Sequence, residues 1–226
     1  MFNLIDMPRP SKPVRGSPQL FKSVFFDKHF SRIRPWHVLA LWVPVISYLL
    51  YLTLTRGVSV LSTLGLLFLG AITWTLIEYG LHRYLFHWAP PASSKFLQQM
   101  MFLIHGVHHD YPWDPDRLVI PPLVSGLIGA VLWLPTKWVF GAPMHYSYFA
   151  GIVLGYVIYD IGHYAWHNLK PRTALGRYLR SYHLVHHFKT PLRRYGVSSP
   201  VWDYVFGTAP EENESASSAT LSTTKP

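Results

Sequence analysis

Four long apolar stretches decide most of what this chain can fold into. They cover residues 36–55, 58–77, 119–134 and 146–161. A hydrocarbon core about 30 Å thick takes about 20 helical residues to cross. The first two stretches meet that length easily. The last two are shorter, and Pro121, Pro122 and Pro135 bracket the third. A re-entrant path or burial within a bundle is the alternative for these two, and spanning is the expectation. Only 14% of the residues are charged, against about 25% in average proteins, as a lipid-facing surface requires.

Short links pair the stretches into two hairpins. Arg56 and Gly57 join the first pair, and residues 135–145 join the second. Of 20 Lys and Arg, only Arg56 and Lys137 fall in these links, which leaves 18 on the opposite face. Basic residues mark the cytosolic side. The expected fold is all-α: a multi-pass membrane protein with four transmembrane helices in two hairpins and a cytosolic histidine-rich helical cap. The charge of +9 then belongs to an anionic membrane surface and not to nucleic acid. Residues 1–35 read as a flexible basic arm with an interfacial segment, where Phe21, Phe25, Phe26 and Phe30 lie among Lys22, Lys28, Arg32 and Arg34. Neither a secretory signal nor a lipidation pattern is seen there. Residues 36–208 form the membrane-embedded domain. Residues 209–226, rich in Ser and Thr, are expected to be disordered.

The chain has no Cys, which excludes disulfides, thiolate metal sites and a thiol nucleophile. It has 13 His, and ten are clustered. They are His82 and His87; His105, His108 and His109; His163 and His167; and His183, His186 and His187. Each cluster falls just beyond the second or the fourth apolar stretch. Residues i, i+3 and i+4 share a helix face, so each HxxHH triplet is expected to project together. His163 and His167 are one turn apart. His82 and His87 are five apart, so a helix end or bend near residues 84–86 is needed to bring them together. Imidazole binds iron, zinc, copper and nickel. Ten exceed what one ion can hold, and two ions with about five ligands each is the natural division. His29, His37 and His145 have no such pattern and read as ordinary side chains.

Two carboxylates accompany the clusters: Glu78, four residues before His82, and Asp160, three before His163. A metal-bound His donates its other N–H to an acceptor, and a charge where an apolar span ends needs a partner. Both acids are therefore expected to orient a bound His. Asp160, with Tyr156 and Tyr159, has a second reading as a contact for a substrate head group.

Unactivated C–H bonds need an oxidant that side chains cannot supply, and two redox-active irons can provide one from O2. Spacing alone does not establish iron, since zinc fits the same ligands. Five stretches carry a resemblance: EYGLHRYLFH (78–87), HGVHHDYPWDPDRLVIPP (105–122), GYVIYDIGHYAWH (155–167), YHLVHHF (182–188) and YGVSSPVWDYVFGT (195–208). Together they resemble the fatty acid hydroxylase superfamily of membrane di-iron proteins. Within it they are most similar to the fatty acid 2-hydroxylases of sphingolipid metabolism. The likeness runs from about residue 20 to 210, and all ten ligand positions are His. It implies hydroxylation beside the acyl carbonyl of a fatty acid, an acyl-CoA or a ceramide, with two iron ions as cofactor and O2 as co-substrate. Fungal and animal members carry a fused cytochrome b5 domain, and no HPGG haem motif occurs here. A separate electron donor, such as cytochrome b5 or a ferredoxin-type protein, is expected. The membrane is the endoplasmic reticulum in a eukaryote or the inner membrane in a bacterium, with the site facing the cytosol.

Three other readings compete with this one. Sterol or carotenoid oxidases share the superfamily, and the HxxxxH spacing of the first pair argues against sterol chemistry. A metal transporter should place ligands near the bilayer midplane, whereas the four stretches contain no clustered His. A metal-stabilised protein without turnover is the remaining non-catalytic reading.

Overall fold

In the computed structural model, residues 4–5 and 9–210 are described. The described residues are helical throughout, apart from loops and one isolated bridge between Leu4 and Phe21. Among the described residues three helices are long and apolar enough to cross a bilayer: α2 (Pro35–Thr55), α3 (Val60–Gly80) with the turn that continues it to Phe86, and α6 (Pro122–Phe140). Their outer faces are undisguised hydrocarbon, with Leu61 82% and Trp138 90% exposed. Pro35 and Pro122 each stand in the first turn of their helix, where no N–H is needed. Ser59 caps α3 by accepting from the Ser62 amide. Pro135, expected to bound the third stretch, lies inside α6, and the helix runs on to Gly141, which ends it at φ 63°. The link to the next helix thus shrinks to residues 141–143.

The fourth apolar stretch belongs to α7 (Met144–Asn168), which is less apolar than the others and largely buried. It packs chiefly on α3 and α2, with α6 beside it. A helix enclosed by neighbours does not need an oily surface, so α7 can carry Tyr156, Tyr159 and Asp160. Its contact with α3 depends on glycine. A Cβ on Gly151 would strike the Leu67 carbonyl, and one on Gly70 would strike the Tyr148 carbonyl. The two backbones can approach that closely only without side chains. Trp74 on α3 meets the Tyr156 ring edge-on at 5.3 Å, and Trp42 on α2 donates to Ser125 on α6 at 3.1 Å.

The N-terminal arm is not free. Arg9 donates to Asp110 through Nε and Nη2, both at 2.8 Å, and the Val14 amide donates to the Asp110 carbonyl. Leu20 is 1% exposed. The short helix α1 (Val24–Phe30) presents Phe25, Phe26 and Phe30 outward and turns Asp27 inward. Asp27 pairs with Arg117 at 3.1 Å, and Arg117 pairs with Asp114 at 2.7 Å. Within the described residues the arm is held at Arg9 and Asp27 by partners in residues 110–117. Most of the expected disordered tail, residues 211–226, lies outside the described residues.

Candidate metal centre

The clustered histidines converge at one end of the bundle. α3 does not stop at Gly80 but widens into a π-helical turn, Leu81–Phe86. The His87 amide donates to the His82 carbonyl, an i to i+5 bond at 3.2 Å. That widening solves the five-residue spacing, because a π turn sets residues five apart one above the other. A second π turn, Phe102–Gly106, follows α4 (Lys95–Met101) and leads into the one-turn α5 (Val107–Asp110), placing His105, His108 and His109. α7 carries His163 and His167. α8 (Ala174–Phe188), capped by Thr173, carries His183, His186 and His187.

Ten nitrogens, one per histidine, form two sets. His82, His87, His105, His109 and His186 make the first, and His108, His163, His167, His183 and His187 the second. Within each set the candidate ligand atoms lie within 4.8 Å of one another. The expectation that a triplet acts together needs correction. On a helix, i and i+4 are about 40° apart in azimuth, while i+3 and i+4 are about 100° apart. The outer members of each triplet therefore turn to one set and the middle member to the other. His108 crosses to the second set and His186 to the first, so each set draws on both halves of the chain.

The donor chemistry fits a transition metal. Neighbouring Nε2 atoms stand 2.9–3.2 Å apart within the sets. Nitrogens about 2.1 Å from a common ion are about 3.0 Å apart at right angles and about 3.4 Å apart in a tetrahedron. These adjacent pairs stand at a separation that one ion can bridge. Both ring nitrogens of His108 and Nε2 of His163 are buried with no hydrogen-bond partner. Leaving a buried polar group so costs about 1–3 kcal/mol, and an ion taking it as ligand removes the cost. Burial, reinforced by neighbouring imidazoles, holds His105, His108, His109, His183, His186 and His187 well below the ordinary histidine range. They are neutral near pH 7, which is the form that binds metal.

Backbone carbonyls fix the rings. His82 Nδ1 donates to the Tyr195 carbonyl at 2.5 Å, His163 Nδ1 to that of Leu118 at 3.1 Å, and His186 Nδ1 to that of Arg193 at 2.7 Å. A carbonyl can only accept, so Nδ1 carries the hydrogen and Nε2 keeps its lone pair for the ion. Neither Glu78 nor Asp160 has a histidine among its hydrogen-bond partners. Glu78 accepts from the amides of Val197 and Ser198, at 2.6 and 2.9 Å, and from the Ser198 hydroxyl. Asp160 accepts from the Ile120 amide at 3.1 Å and the Tyr156 hydroxyl at 2.9 Å. Each acid thus grips the chain two residues beyond the carbonyl that holds a histidine: Tyr195 before Val197, and Leu118 before Ile120. Tyr156, Tyr159 and Asp160 are together as expected, but they are buried within the helices, and Asp160 is 0% exposed. Asp203, which the sequence did not single out, is also buried and accepts from the Tyr195 and Gly196 amides at 2.8 Å. Its only signal was its place in the stretch 195–208.

A family model described as fatty acid hydroxylase matches residues 67–208. The dihydroceramide fatty acyl 2-hydroxylase FAH2 of Arabidopsis thaliana is 36% identical over 203 residues, which cover 89% of this chain and 84% of the relative. The fatty acid 2-hydroxylase of Mus musculus is 35% identical over 221 residues, covering 89% of this chain and 59% of the mouse protein. The ceramide very long chain fatty acid hydroxylase SCS7 of Saccharomyces cerevisiae is 38% identical over 213 residues, covering 92% of this chain and 53% of the yeast protein. The chain therefore spans little more than half the length of the mouse and yeast relatives. A solved structure of full-length scs7p, in which only the hydroxylase domain is visible, superposes with a TM-score of 0.80 at 36% identity over 87% of this chain and 74% of that one.

Proposed function

The chain belongs to the fatty acid hydroxylase family, and from that premise we propose that it hydroxylates the 2-position of a lipid acyl chain with O2 at a histidine-held dimetal centre. The observation that carries the reading is the division of ten imidazoles into two sets of five, in a chain like enzymes named for 2-hydroxylation of fatty acids and dihydroceramide. An acyl C–H, O2, two electrons and two protons give C–OH and water. Two iron ions supply the oxidising power for this when bound, and zinc fits the same nitrogens. The electrons come from a separate donor, a cytochrome b5 or a ferredoxin-type protein.

The chain's own residues prepare the site. His82, His87, His105, His109 and His186 hold one ion, and His108, His163, His167, His183 and His187 hold the other. The carbonyls of Tyr195, Leu118 and Arg193 set ring orientation. Glu78 and Asp160 are positioning residues that hold the loops bearing two of those carbonyls. We place α2, α3, α6 and α7 across the bilayer as two hairpins, with the histidines on the cytosolic side. That membrane is the endoplasmic reticulum in a eukaryote or the inner membrane in a bacterium. Lipid mass spectrometry on cells with and without the protein tests the proposal. A 2-hydroxylated fatty acid or ceramide appears only with the intact chain, and not with His108→Ala or His186→Ala. Identical lipid profiles with and without well-expressed protein would overturn it.

A further inference from the structure

The two sets of histidines do not meet the outside equally. No member of the second set is more than 6% exposed, whereas His87 and His109 of the first are only half-buried. A cavity of about 510 Å³ opens beside them, within the range of ligand-sized clefts, about 300–1,000 Å³. Three of the ten clustered histidines line it, His87, His105 and His109, and all three belong to the first set. The rest of the wall is mainly apolar, with Phe86, Trp88, Met101 and Phe102. Arg9 and Gln98 are the polar side chains beside the histidines.

Resting on the dimetal reading above, we infer that only the ion held by His82, His87, His105, His109 and His186 meets outside ligands, and that an acyl lipid reaches it through this cavity with its carbonyl end leading. The apolar walls accept the chain. At Arg9, Nε and Nη2 are committed to Asp110, while Nη1 makes no hydrogen bond among the described residues and remains a donor for a carbonyl oxygen. A Cβ at Gly106, next to His105, would lie 3.5 Å from Arg9 Nη2, so the guanidinium stands close to the ligand set. The second set, carried by α5, α7 and α8, would hold its ion closed off from outside ligands.

The test uses the full chain in detergent, loaded with cobalt(II) and titrated with azide while the cobalt absorption is followed. Two cobalt ions and a single azide per chain are expected. Ala89→Trp and Pro191→Trp each fill the cavity from an exposed wall position without removing a histidine. Both variants should keep two cobalt ions and bind azide about tenfold more weakly or worse. Two azides per chain, or unchanged azide affinity in both filled variants, would overturn the inference. Uptake of fewer than two cobalt ions by the unmodified chain would instead overturn the dimetal reading beneath it.

Discussion

Glu78 and Asp160 show how far single residues could be read. The sequence located both acids by their distance from a histidine, but the loop amides they grip are 119–120 and 40 residues away in the chain. No local pattern reveals such a contact, so the support came out one step longer than expected: acid, loop amide, carbonyl, imidazole. The structure makes the consequences separable. Glu78→Ala should loosen the loop holding His82 and lose the first ion. Asp160→Ala should loosen Leu118 from His163 and lose the second. Removing such supports typically costs about 10–100-fold in metal affinity or activity. Glu78→Gln and Asp160→Asn keep one accepting oxygen and should be milder. Metal content and 2-hydroxylated lipid at matched expression measure this, and wild-type values in Glu78→Ala would refute its role. The imidazoles carry a second expectation, for pH. Those of His105, His108, His109, His183, His186 and His187 are depressed by burial, so the unfolded chain binds more protons than the folded one once pH falls below about 6.5. The contribution of these rings to stability is therefore constant above that pH and declines below it, while the Asp203 carboxyl, raised by burial, works in the opposite direction. Bound metal leaves over the same acidic range as protons compete for the nitrogens. Thermal melts of the metal-free chain from pH 8 down to 5 should fall only in the acidic part. A melting temperature that rises on acidification would contradict the burial of neutral rings.

Among the elements, the regular helices were legible and the irregular turns were not. Continuous apolar runs gave α2 and α3 closely. The extension of α6 past Pro135 was missed because a proline read as a boundary is tolerated inside a helix whose neighbours satisfy the backbone. The π turn at Leu81–Phe86 was visible only as a spacing that did not fit, five residues between His82 and His87. It also accounts for where the ligands stand, since π turns often mark functional sites. Deleting one residue there tests it. Tyr84 is 64% exposed, so its removal takes no core contact away. The deletion leaves His82 and His87 four apart, on ordinary α spacing, and rotates His87 relative to the first set. The deletion variant should keep the ion of the second set and lose that of the first, whereas Tyr84→Ala should keep both. Inductively coupled plasma analysis of purified protein reads the difference directly. Full metal content in the deletion variant would show that the wide turn is dispensable.

For the whole molecule, charge carries more information than hydropathy. Length and composition qualify three helices as spans, and α7 falls short because its surface is turned toward α2, α3 and α6. Yet α7 runs antiparallel to α6 after a link of only residues 141–143, and its 25 residues at about 1.5 Å each would cover about 37 Å, more than a bilayer core. Its far end carries His163 and His167, whose set lies beside the one that includes His82 of the π turn at the end of α3, the rings of His183 and His82 being 6.5 Å apart. On the proposed four-span reading the start of α7 lies at the opposite membrane surface, beside Arg56 in the link between α2 and α3, and Arg56 reaches the Tyr146 ring. Three spans would leave the link at 141–143 and the chain beyond Asn168 on one side. Four spans put the link across the membrane from both the ten histidines and the C-terminal region. The distribution of Lys and Arg fits four, since basic residues stay cytosolic: only Arg56 in the first link and Lys137 in the last turn of α6 stand at the far side, which leaves 18 of 20 for the other. A reporter fused after Pro226 should read as cytosolic, while a glycosylation or cysteine-labelling tag inserted between Gly141 and Pro143 should read as translocated. If both tags report the same side, α7 does not cross, and the second hairpin must be redrawn with α7 buried short of the far surface.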